Sequence, residues 1–117
     1  MKNELQKRLF EFVVKVFKLL KTLPDTKEFS VIRYQLLKSC SSTGANYEEA
    51  QAGSSRADFI HKVGISLKEM RESNYWLRLI KAISEDEKLR QSDLENLIKE
   101  SEELKLILGS IVSKTKR

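Results

Sequence analysis

Only five of the 117 residues are Gly or Pro: four glycines and Pro24. A chain of β-hairpins needs Gly, Pro, Asn and Asp at its reversals. This scarcity excludes a turn-rich all-β fold and predicts few, long elements. Four segments carry the three-and-four spacing of an apolar helix face. In the first, residues 4–22, Leu5, Leu9, Phe12, Val13, Val16, Phe17 and Leu20 share a face. Asn3 and Gln6 have capping-box spacing. Pro24 ends the segment, because it lacks an N–H and disfavours helix before it. The second segment, 26–51, sets Phe29, Ile32, Leu36, Cys40, Thr43, Tyr47 and Ala50 on one face. Its centre, residues 39–45, is poor in helix formers, and propensity alone favours a loop there. The spacing continues through it and predicts helix, with the small residues marking a closely packed neighbour.

Gly53-Ser54-Ser55 is the next break, and Ser55 with Asp58 signals a new helix start. The third segment, 56–83, has two apolar stripes at about 100° per residue. Phe59, Val63, Leu67, Met70 and Leu77 form one; Ile65, Trp76, Leu79 and Ile80 form another, roughly opposite. A helix apolar on two sides is buried on two sides, so the second stripe is expected to meet another copy of the chain. Gly44 and Gly64 fall inside predicted helices and are read as close-packing points. A charged connection, 84–88, leads to Ser92 and Glu95, the expected start of a fourth helix over 93–113. Its face is Leu94, Leu97, Ile98, Leu104, Leu108, Ile111 and Val112. Four helices with short connections predict an all-α, antiparallel up-down four-helix bundle, one domain over 1–117. No apolar run approaches the ~18 residues of a membrane span and no signal-peptide pattern is visible, so the expected compartment is cytoplasmic.

Several chemistries are excluded. One Cys leaves no intramolecular disulfide, and with one His it leaves no Cys/His zinc site. A di-metal bundle needs two Glu-x-x-His motifs, whereas the residue three before His61 is Asp58. No metal, cofactor or catalytic residue is expected. Cys40 lies on a core face and reads as an inert thiol. Glu69 and Glu72 share a face with Ile65 and Trp76. With Ser42, Asn46 and Glu49 of the second helix they are expected to form a buried polar network, since buried polar groups must be paired. Tyr75 and Trp76 could stack on bases, but their apolar stripe favours packing against the small residues of 39–45. Arg56 and His61, five apart, resemble the motif of the HEPN ribonucleases. There His61 would be acid or base and Arg56 would steady a phosphate. An exposed His near a helix start is the plainer reading.

The net charge is +5, and it is unevenly placed. Residues 1–24 carry +4 and 55–83 carry +3, while 25–54 and 84–117 are each −1. On the first helix Lys7, Arg8, Lys15, Lys18 and Lys21 fall within an arc of roughly 140°, diluted by Glu4 and Glu11. On the third, Arg56, Arg71, Arg78 and Lys81 fall within about 80°. Clustered cations attract a phosphate backbone by releasing its counterions, so these nine are the candidates for nucleic-acid binding. A solvated helix face is the alternative.

Residues 39–77 also carry a family resemblance. Gly44-Ala-Asn-Tyr47 with Glu49 and Ala50, then 55–62 (Ser-Arg-Ala-Asp-Phe-Ile-His-Lys), Leu67-Lys-Glu69, Glu72-Ser73 and Tyr75-Trp-Leu77 resemble the bacterial four-helix-bundle family named for proteins encoded in intervening sequences of 23S rRNA genes. That family is related to accessory proteins of diversity-generating retroelements. The resemblance implies a four-helix protomer in a homo-oligomeric ring, typically a pentamer, with nucleic-acid binding as the role usually proposed; the expected partner is structured RNA or an RNA–protein assembly. It brings no catalytic residues. A structural or protein-partner adaptor is the rival expectation.

Overall fold

The computed structural model describes residues 2–53, 55–84 and 91–115. Four helices follow in order: α1 (Lys2–Leu20), α2 (Lys27–Gln51), α3 (Arg56–Ile83) and α4 (Gln91–Thr115). No strand occurs among the described residues. The protein measures 47 × 22 × 20 Å. A 28-residue helix such as α3 is about 42 Å long, so the helices run along the long axis. Cross-helix bonds fix the directions. Arg33 of α2 reaches the end of α1, Ser39 meets Ser73 and Thr43 meets Ser66, and Asn74 meets Ser101. Successive helices are antiparallel, and each packs on two neighbours around the square: α1 on α2 and α4, α3 on α2 and α4. This is the expected up-down bundle.

The capping chemistry differs from expectation at both outer helices. Asn3 and Ser92 each lie one residue inside their helix, so neither stands at the cap position. Thr26 caps α2, its hydroxyl accepting from the Phe29 N–H at 3.2 Å, and Ser55 caps α3 through the Asp58 N–H at 3.0 Å, as its spacing implied. Of the charged connection expected at 84–88, residues 85–88 lie outside the described residues. Gly53 closes the α2–α3 turn, its N–H donating to the Ala50 carbonyl. A Cβ there would stand 3.1 Å from that carbonyl and 2.5 Å from the movable Asp58 carboxylate, so a larger residue would have to displace that side chain. At Gly44 a Cβ would make ordinary contact with Val13, and at Gly64 it would meet nothing within 4 Å. Neither glycine is a steric requirement of the protomer.

The core follows the predicted faces closely. Leu9, Phe12, Val16 and Leu20 of α1, Phe29, Ile32, Leu36 and Cys40 of α2, Val63, Met70 and Leu77 of α3, and Leu94, Leu104 and Leu108 of α4 are buried together. Two placements differ. Phe17 is 41% exposed, and Ile80 is 0% exposed. Residue 17 stands about 100° from Val16 around the helix axis, on the edge of the core stripe. Ile80 is about 60° from the centre of the second α3 stripe and turns into its own bundle.

Candidate nucleic-acid interface

The small-residue centre of α2 stays helical because α3 lies against it. Thr43 Oγ1 donates to the Ser66 carbonyl at 2.6 Å, and Ser66 Oγ returns a bond to the Thr43 carbonyl at 2.6 Å. One turn away the Ser39 and Ser73 hydroxyls pair at 2.9 Å. All four residues are fully buried, so these hydroxyls satisfy one another where no water reaches. The five residues expected to make a network behave otherwise. Asn46 donates to Ser42 within α2, Glu49 approaches Lys62 at 3.9 Å, and Glu72 accepts from the Trp76 indole N–H at 3.2 Å. Ser42–Asn46, Glu49–Lys62 and Glu72–Trp76 are separate pairs, and the Glu69 carboxylate joins none of them. Burial, reinforced by Glu72, holds the Glu69 carboxyl above the ordinary glutamate range.

The cations sort by their partners. Arg8 makes a two-point contact with Glu100 at 3.0 and 2.7 Å and a third with Glu103 at 2.9 Å. This fork clamps α1 to α4, and the Glu100 bond raises the Arg8 pKa further. Lys81 pairs with Glu95 at 3.0 Å. Arg56 donates to the Thr115 carbonyl at the end of α4. Arg78 donates from Nε to the Asn74 side-chain oxygen at 2.9 Å, and its guanidinium lies 5.8 Å from the Tyr75 ring centre. Arg71 is exposed. Lys7, Lys15 and Lys18 on α1, and Lys21 just past its end, are all exposed and make no ion pair with the described residues. The lysine face is therefore an open cationic surface, with Glu11 inside it, while Arg8, Arg56 and Lys81 are held by the bundle.

His61 is exposed five residues after Arg56, which places the two about 140° apart around α3. The Arg56 guanidinium is turned to the end of α4, where it donates to the Thr115 carbonyl. Among the described residues no three His, Cys, Asp or Glu side chains group as metal ligands, and no helix is long and apolar enough to cross a membrane. Cys40 is buried, its thiol pushed up to about 12 by burial.

Sequence reasoning missed an exposed apolar set: Phe10 (63%), Val31, Tyr34 (64%), Leu106 (70%) and, in part, Phe17. Phe10 and Val14 border a shallow groove with Lys7, Lys15 and Glu48. Of the expected interface residues, Ile65, Trp76 and Leu79 are half-buried on the outer side of α3. Trp76 packs partly on its own core and edge-on against Tyr75 at 5.0 Å. The α3 residues facing the small tract are Ser66 and Ser73, not the aromatics.

Comparison with known proteins adds two findings. Residues 1–110 match the family described as 23S rRNA-intervening sequence protein. A crystal structure of a protein with unknown function from the S23 ribosomal protein family, from Bacteroides thetaiotaomicron VPI-5482, is similar at 36% identity with a TM-score of 0.79. That similarity covers 92% of this chain and 97% of the other. No curated protein matches the chain.

Proposed function

The chain belongs to the 23S rRNA-intervening sequence protein family, and from that premise we propose that it is a non-catalytic homo-oligomeric module that binds RNA through its phosphates. The observation that carries this reading is the face of α1 and the turn that follows it: four exposed lysines, Lys7, Lys15, Lys18 and Lys21, with no ion pair to any described residue. Counterion release makes such a face favourable for a polyanion, and the absence of a base-reading motif makes the contacts mainly ones to phosphate. Assembly multiplies the face. Two different apolar surfaces support a head-to-tail ring, which requires unlike patches that meet: Phe10 and Phe17 on the flank of the α1 lysine face, and Ile65, Trp76 and Leu79 on α3. The subunit number we propose, five, follows from the family resemblance. Repetition around an axis turns a weak site into an avid one.

The test combines assembly with binding. Sedimentation of the wild type should show several subunits. Phe10→Asp, at an exposed position, should leave helicity unchanged and release monomers. Fluorescence anisotropy with a structured RNA at low salt should show binding that is lost when Lys7, Lys15, Lys18 and Lys21 become Gln. Negligible wild-type affinity at low salt contradicts the RNA reading. The exposed apolar residues Val31, Tyr34 and Leu106 favour one rival, an adaptor for a protein partner, and an assembled protein with no RNA affinity would match it.

A further inference from the structure

A second cationic feature lies on the opposite side of the bundle from α1, between α3 and α4. Arg71, Arg78 and Lys105 border one groove there, with Asn74 at its base and Leu106 and Gly109 on its α4 side. Asn74 is only 2% exposed, an unusual place for an amide. Its bonds form a chain from the core outward. Ser101 Oγ donates to the Ile98 carbonyl at 2.7 Å and accepts from Asn74 Nδ2 at 2.8 Å, and the Asn74 oxygen accepts from Arg78 Nε at 2.9 Å.

That chain fixes one edge of the guanidinium. The terminal Nη groups of Arg78 make no bond to a described residue, so a planar two-pronged donor is held by a buried anchor with its prongs outward. The Tyr75 ring at 5.8 Å limits its swing. Arg71 stands two helical turns earlier on the same stripe, about 10.5 Å along the axis, close enough for both side chains to reach a common anion between them. The nearest counter-charge is Glu102, which accepts from Lys105 at 3.0 Å and lies near Asn74 and Arg78. It is half-exposed and satisfies one cation of three.

We infer that the α3–α4 groove is a phosphate-binding site in which Arg78, anchored by buried Asn74, supplies a fork and Arg71 and Lys105 flank it. Fork geometry suits phosphate oxygens better than a point charge does. The inference rests on the RNA reading only for one source of that phosphate, a phosphodiester backbone; a free polyphosphate compound is the other source of the same chemistry.

The experiment follows the Arg78 Nε–Hε resonance in the 15N-labelled full chain during separate titrations with inorganic pyrophosphate and a short oligouridylate. Saturable movement of that resonance is expected. Arg78→Lys, which keeps the charge and loses the fork, should weaken pyrophosphate binding roughly tenfold. Glu102→Gln should strengthen it by removing the internal competitor. Movement with both probes identifies nucleic-acid phosphate as a ligand, and movement with pyrophosphate alone identifies a free phosphate compound. No saturable movement with either probe overturns the site, as does an affinity unchanged in both variants. Replacing the α1 lysines with Gln keeps the two readings apart. Loss of RNA binding there with pyrophosphate binding intact upholds both. RNA binding by the wild type with a silent Arg78 resonance removes only the groove.

Discussion

Thr43 and Ser66 join α2 to α3 through reciprocal bonds from hydroxyl to carbonyl, and each hydroxyl is buried. Thr43→Val keeps the shape and removes one donor. It should cost about 1–2 kcal/mol, read as a lower urea midpoint at an unchanged slope. Composition placed small residues here but did not show which hydroxyls would pair. That depends on the rotation of α3 against α2, which is set by the whole packing. Ser66 and Ser73 are ordinary serines in the sequence, and only their position opposite Thr43 and Ser39 makes them the seam. Glu69 and Asn46 were plausible partners by residue type, but they sit one step outside it. Cys40 was readable from periodicity alone, since it continues the stripe of Phe29, Ile32 and Leu36. Its thiol titrates at about 12 rather than 9, so between those values the folded chain retains a proton that the unfolded chain loses. Stability must then fall as pH rises through that window. Unfolding midpoints at neutral pH and at about pH 10 should drop further for the wild type than for Cys40→Ala; equal drops contradict the assignment.

Each helix is stopped by its own chemistry, and the sequence showed part of it. Pro24 and Gly53 mark two breaks by the physics of their own backbones, and the α3 limits agree with the expected 56–83. What stays hidden in a linear reading is help from afar. Arg33, on α2, donates to the carbonyls of Leu20, Leu23 and Pro24, and so satisfies the end of α1 from another element. Carbonyls at a helix C-terminus lack intrahelical partners and favour a cation. Arg33→Met keeps the stem and loses these bonds. The expected result is faster hydrogen exchange at the last turn of α1, with α3 amides unchanged. Uniform acceleration across the chain would instead mean that Arg33 supports the bundle globally. The Arg8 fork to Glu100 works in the same way at the α1–α4 seam. It removed from the candidate anion-binding set a residue that charge counting had included.

At the scale of the molecule, the bundle turns an uneven charge into two separate cationic surfaces. Periodicity carried the fold, because each helix has a continuous apolar face that only its neighbours around the square can cover. The open surface was less accessible to sequence reasoning, because which cations are free depends on carboxylates that are distant in the chain. Glu95, Glu100 and Glu103 of α4 take Lys81 and Arg8, while Lys7, Lys15, Lys18 and Lys21 face outward. Of the second α3 stripe, Ile65, Trp76 and Leu79 remain toward the outside, and Phe10 and Tyr34 join them as surface that a partner would cover. The most direct measurement is the salt dependence of RNA affinity for the wild type and for single lysine-to-glutamine variants on α1. If these lysines neutralise phosphates, log K should fall linearly with log salt, and each variant should make that slope shallower by about 0.7–0.9 for the phosphate it no longer neutralises. A wild-type slope near zero, or one that no α1 variant changes, would contradict RNA binding through this face.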